Sequence, residues 1–318
     1  MAGLALGVFV AAIVAVWVVR SAGSVPVAAP RAGAASEAAL PPAALTSAIP
    51  LAGVDELLLA PKALNWRARR LRENPSILVI EFPGLDEQGM AMNRLAAMYE
   101  KRNGDRDRVM VDAELSQLLR ANGDSVASFF QGHDYTGDML ARFFSLASRQ
   151  QVPLKHQEMA LRVLLVDAKV LQPEQAGTFS AIGSQAVISF TAAQEDDPLT
   201  EADESVDAWR RESVLRHELS HGEFFTNADY RAYCWDFWRH SLSERERKLV
   251  RQYLERLDYN PRDEELMANE MQATLMHTPD DRAFSAAALG VSAADLNRLR
   301  AQFRRGDPLS RANAAPAR

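Results

Sequence analysis

RHELSH, residues 216–221, sets His217 and His221 four positions apart with Glu218 between them. On a helix the two imidazoles project from one face about a turn apart. Two neutral imidazoles at that spacing can hold one Zn²⁺, and the intervening carboxylate can act as a base toward water. The competing reading is a solvated charged face within RRESVLRHELSHGEF, residues 210–224. Val214, Leu215 and Leu219, with Trp209, argue instead for a half-buried helix. A catalytic zinc needs three protein ligands and an open position. A third histidine six residues after His221 is excluded, because position 227 is Asn. Cys234 is the one cysteine, so neither a thiolate cage nor an intrachain disulfide can form, and any metal must be held by His and carboxylate.

The third ligand is sought downstream, in NPRDEELMANEMQATLMHTP, residues 260–279. Asn260 as N-cap, Pro261 at the first helical position and Asp263 in the first turn predict a helix that Pro279 prevents from continuing. On it Asp263, Leu266, Met267, Glu270, Ala273, Thr274 and His277 share one side, which puts Glu270 in a mainly apolar stripe facing inward. An acid there needs a partner. A cation would remove the cost of burying the carboxylate, and Ala273 one turn on allows close helix approach. The alternative is an ion pair with Arg210, Arg211 or Arg216. Asp229 and Asp236, nearer to the first motif, are competing metal ligands. A donor for a developing oxyanion is also required; His277, Tyr230, Tyr233, Tyr253 and His240 are candidates, with His277 equally a favourable charge at a helix C-terminus.

HELSH followed by a helix bearing Asn269-Glu270-Met271-Gln272-Ala273 resembles the gluzincin zinc metallopeptidases, the broad thermolysin-like class, over roughly residues 185–280. The resemblance implies His217, His221 and Glu270 as zinc ligands and Glu218 as general base, with one zinc per chain and peptides or proteins as substrates. The stretch between His221 and Glu270 is longer than in the shortest members and leaves room for an inserted helical pair, which SERERKLVRQYLERLDY fits. An intramembrane protease is excluded, since the motif lies outside any apolar span of bilayer length.

These groups need elements to position them. SILVIEF, residues 76–82, reads as a buried strand, and Ala186 to Phe190 as a second one just upstream of the motif helix, where an extended substrate could add. Helical spacing is expected over 86–101, from an Asp112 N-cap to Asn122-Gly123, over 125–130, 136–148 and 156–170, and from a Thr200/Asp203 cap through Phe225. GHDY, residues 132–135, reads as an N-cap region with a packed aromatic more readily than as part of a cleft, and YRAYCWDFW, residues 230–238, as core packing or one cleft wall. The fold class expected is α+β, mainly helical, with a zincin-like catalytic region containing a short sheet and the HExxH helix.

At 318 residues the chain can bury a large core. A net charge of −6 and arginine clusters without interleaved aromatics give no basis for nucleic-acid binding. Residues 2–19 are uncharged and closed by Arg20, which marks a membrane anchor or signal segment over 1–20; residues 21–50, with eleven Ala and five Pro, read as a tether. The expected layout continues with a mainly helical N-terminal subdomain over 51–176, a zinc metallopeptidase-like domain over 177–309 and a tail over 310–318. The globular part is then extracytoplasmic, with membrane contact through the N-terminal segment. The rival expectation is a non-catalytic cell-envelope scaffold or binding protein with structural zinc or none.

Overall fold

A computed structural model describes residues 49–102, 104–200 and 202–309. The anchor, almost all of the tether and the tail lie outside the described residues. The chain begins with β1 (Leu51–Ala52), α1 (Val54–Leu59), β2 (Arg67–Leu71), β3 (Ile77–Phe82), α2 (Leu85–Tyr99) and α3 (Asp112–Asn122). Next come β4 (His133–Thr136), α4 (Gly137–Arg149), α5 (His156–Asp167), β5 (Leu171–Pro173), β6 (Phe179–Ala181) and β7 (Ala186–Thr191). Helices complete it: α6 (Ala208–Thr226), α7 (Ala228–Asp236), α8 (Glu244–Arg256), α9 (Glu264–His277), α10 (Ala286–Leu289) and α11 (Ala293–Arg304). The described chain is mixed α+β with helix predominating.

Five strands form one sheet in the order β1-β2-β3-β7-β4, with β3 and β7 parallel and β4 antiparallel to β7; β5 and β6 pair separately. SILVIEF and Ala186–Thr191 are strands because β-branched, apolar residues suit positions buried on both faces, and all twelve residues of β3 and β7 are buried. One face, with Leu78, Ile80, Phe82 and Val187, packs beneath α2, α4 and α5. The other, with Ile77, Val79, Ile188 and Phe190, receives Val214, Leu215 and Leu219 of α6. A further core among α7, α8, α9 and α11 holds Tyr230, Trp238, Met267 and Phe303. Residues 77–82 and 186–191 are hydrogen-bonded neighbours, so the expected subdomain and the expected peptidase-like domain share one sheet.

Several local expectations are corrected. Residues 125–130 form a tight turn rather than a helix, because Ser125 Oγ accepts from the backbone N–H groups of Ala127 and Ser128 while Ser128 Oγ accepts from that of Ser125. Asp112 is the first residue of α3; Glu114 reaches back to the N–H of Val111, and Gly123 ends the helix at φ +76°. Helix α6 starts at Ala208, where Asp207 accepts from the N–H of Arg210 at 2.7 Å, and Asp203 pairs with the Arg210 side chain instead of capping. Helix α9 starts at Glu264 under Asp263, while Asn260 accepts from the N–H of Arg262 in the preceding turn. Trp209 is 46% exposed and does not join the core. The strand expected at 186–190 is internal to the sheet; β4, unforeseen, is the edge strand beside the motif helix. Among the described residues no helix is long and apolar enough to cross a membrane.

Helix α6 is tied to the sheet by charge as well as apolar contact. Arg211 donates to Glu81 of β3 at 2.7 Å and to the carbonyls of Leu57 and Leu58, and Arg67 holds the second Glu81 oxygen at 2.9 Å. With 2% exposure the Glu81 side chain is in a setting where removing one partner strands the other. Glu81→Ala is therefore expected to cost roughly 3–5 kcal/mol, read as a lowered urea midpoint at unchanged slope.

Candidate metal centre

Helices α6 and α9 pack side by side, with Ala273 fully buried in α9. His217 Nε2 and His221 Nε2 are 3.0 Å apart. Glu270 Oε2 lies 3.8 Å from the first and Glu270 Oε1 3.7 Å from the second. The three side chains are buried, and their ligand atoms fall within 4.8 Å of one another. With zinc bonds of about 2.0–2.2 Å, tetrahedral ligand atoms stand roughly 3.3–3.6 Å apart. The observed spacing is close to that.

Donor chemistry fits an ion equally well. The Thr278 hydroxyl donates to the Ala273 carbonyl at 3.1 Å, so the 2.7 Å contact from His217 Nδ1 is an N–H donation into Thr278 Oγ1. That places the proton on Nδ1 and turns the Nε2 lone pair toward His221 and Glu270. Burial holds His221 down at about 4 and, aided by the His221 and His277 charges, pushes His217 well below its ordinary value. Both imidazoles are thus in the neutral, ligating form near pH 7. Burial, then the charges of Asp134 and Glu100, raises Glu270 well above the carboxylate range. None of the proposed arginine partners relieves it: Arg210 pairs with Asp203, Arg211 with Glu81 and Arg216 with Glu212. Among the described residues no Lys or Arg side chain forms an ion pair with Glu270.

Glu218 projects from α6 toward the start of β4. It is buried, and its Oε2 has no hydrogen-bond partner among the described residues. A methyl group on Gly132 would sit 2.7 Å from Glu218 Cγ and Cδ and closer still to Oε1, so only glycine leaves room for this carboxylate. Asp134 lies two residues on, its Oδ2 3.9 Å from His221 Nδ1. Behind β4, Tyr135 donates to Glu100 at 2.8 Å, and burial with the Asp134 charge pushes Glu100 up to about 8. Tyr259 is buried next to Glu270, its hydroxyl without a well-formed hydrogen bond. Lys101 lies over the Phe129 and Phe130 rings, and burial lowers it.

The remaining sequence candidates lie elsewhere. His277 Nε2 meets Tyr230 Oη at 3.0 Å, and His277 lines a cavity of about 580 Å³ along the Arg216–Ser220–Glu223 side of α6. Tyr230 also donates to Gln272, which bonds Ser220 and so couples α9 to α6. Tyr233 and Tyr253 donate to the carbonyls of Phe303 and Ala283. His240 and Asp236 pair with each other at the surface, and Asp229 is exposed at the start of α7. Sequence reasoning missed Thr278, Glu100 and Tyr259, and read GHDY, with Gly132 and Asp134, as a cap region more readily than as part of a cleft. Both hold: Thr136, next in the chain, caps α4, and Gly132 and Asp134 border the site. No protein-family model, curated protein or solved structure matches the chain.

The buried acids and imidazoles titrate in opposite senses. Depressed histidines, His221 and His277 at about 4 and His133 at about 3, contribute stability that is present above pH 6.5 and lost as pH falls. Glu100 at about 8, with Glu218, Glu270 and Asp134 also raised, binds protons more tightly folded than unfolded, so stability falls as pH rises from about 4.5 to 8. Above pH 6.5 the second effect stands alone. Chelator-treated protein is expected to melt lower at pH 8 than at pH 6.5 in a calorimetric scan.

Proposed function

We propose that this chain is a zinc-dependent peptidase of gluzincin-like design, with His217, His221 and Glu270 holding the metal and Glu218 as general base. The observation that carries the reading is the convergence of two Nε2 lone pairs and one carboxylate from separate helices, with an unpartnered carboxylate beside them. Zinc bound there supplies Lewis acidity toward a peptide carbonyl and toward water. Glu218 takes the proton of the attacking water and returns it to the leaving amine; its Oε2 makes no hydrogen bond among the described residues, and Gly132 leaves room for the Oε1 side of the carboxylate. Strand β4 ends the sheet, so an extended peptide can pair along it by strand addition. Together with the uncharged run over 2–19, the reading puts a tethered or exported peptidase outside the cytoplasm.

Burial of every ligand group to 4% exposure or less also suits a structural zinc in a non-catalytic envelope protein. Two measurements separate the readings. Full-length protein purified without affinity-metal resin is expected to carry one zinc per chain by mass spectrometry, and Glu270→Ala to lose most of it. Glu218→Gln is expected to keep its zinc and to lose at least about 100-fold in hydrolysis of a mixed peptide library, the contribution of a positioned base. Hydrolysis unchanged in Glu218→Gln would end the peptidase assignment of that residue; zinc without hydrolysis in the wild type would favour the structural alternative.

A further inference from the structure

The two imidazoles are braced unequally. His217 is fixed from behind by Thr278 at 2.7 Å. His221 Nδ1 is buried and has no hydrogen-bond partner among the described residues. With Nε2 turned toward His217 and Glu270, the His221 proton belongs on Nδ1, and a buried N–H requires an acceptor. Asn269 interacts with the ring and its Oδ1 also accepts from Gln272 Nε2 at 3.3 Å, but it makes no hydrogen bond with Nδ1. Asp134 Oδ2, at 3.9 Å from Nδ1, is the carboxylate oxygen that faces it. Asp134 stands opposite Ile188 of β7 and so projects to the side of the sheet on which Ile188 packs against α6.

We infer that Asp134 is the positioning residue for His221: its carboxylate accepts the Nδ1 proton, fixes the tautomer and ring plane, and presents Nε2 to the metal. The inference rests on the zinc reading above and extends it to a strand that no part of the HExxH or NEMQA segments contains. A short side-chain movement closes 3.9 Å to a hydrogen bond. The resulting carboxylate–imidazole pair makes the nitrogen on the far side a stronger ligand. The same edge strand then serves both functional residues of the α6 motif, Gly132 making room for Glu218 and Asp134 orienting His221. A rival arrangement exists, because Asp134, Glu218 and His221 each offer one ligand atom within 4.8 Å of the others, which would suit a second cation.

The test is zinc affinity of the full chain by competition with a chromophoric chelator, together with zinc stoichiometry and the melting temperature of the metal-free protein, for wild type, Asp134→Ala and Asp134→Asn. Asp134→Ala is expected to weaken zinc binding 10–100-fold, the usual effect of removing a partner behind a ligand histidine. Asp134→Asn should lie between the two, because its amide oxygen still accepts the proton but carries no charge. Metal-free Asp134→Ala should melt no lower than wild type, since it removes a buried carboxylate lacking a cation. Unchanged affinity in Asp134→Ala overturns the inference while leaving the zinc site intact. So does weakened binding matched by a loss of folded metal-free protein. Two zinc ions in the wild type with one lost in Asp134→Ala would make Asp134 a ligand instead. A wild type that binds no zinc removes the underlying reading, and this one with it.

Discussion

Burying Glu218 and Glu270 beside His217 and His221 imposes an electrostatic condition on everything around them: several acids, two neutral imidazoles and no arginine occupy one junction of α6, α9 and β4. A carboxylate withdrawn from water is tolerated when it is paired, protonated or bound to a cation. The arginines that could have paired are committed elsewhere, Arg211 to Glu81 and Arg94 to Glu158 among them. Those buried pairs are closed units with hydrogen bonds on both partners, as when Arg94 also donates to the carbonyls of Met110 and Pro153. At the site several buried acids meet without such closure. The fold thus concentrates its unmet polar demand where two helices and a strand end converge, an arrangement more often functional than structural.

Much of this was legible because it is written locally. His217 and His221 share a face for reasons of helical period alone, and the apolar Val214, Leu215 and Leu219 supply the buried side that lays that helix against the sheet. Glu270 could be picked out for the same reason, an acid within the stripe of Met267, Ala273 and Thr274. Strands β3 and β7 declared themselves through continuous β-branched sequence. Helix starts were less legible, since Asp207 and Asp263 competed with other plausible caps nearby and only the docked geometry decides among them.

The rest was hidden because it is long-range. HDYT carries no apolar run and becomes β4 only through pairing with β7, so GHDY could be noticed but the approach of Asp134 to His221 and of Gly132 to Glu218 could not be read from it. Thr278 sits just past a helix end and reads as a terminator until its contact with His217 is seen. Trp209 illustrates the reverse error: a large aromatic on an amphipathic helix reads as core, yet in the first turn of α6 the buried side chains are Arg210 and Arg211, and Trp209 is left half-exposed.

Strand β3 finds its parallel partner β7 only after α2, α3, β4, α4, α5, β5 and β6 have intervened. Pairings of such sequence separation pay their loop-closure entropy before any contact repays it, which makes them slow steps in folding. Helix α6 rests on that paired surface, and α9, bearing Glu270, comes later still in the chain. A growing chain emerging from the ribosome therefore holds the sheet strands and both histidines before it has the Glu270 carboxylate that faces them or the Thr278 hydroxyl behind His217. The centre waits on α9, and a chain not yet extended that far is without it.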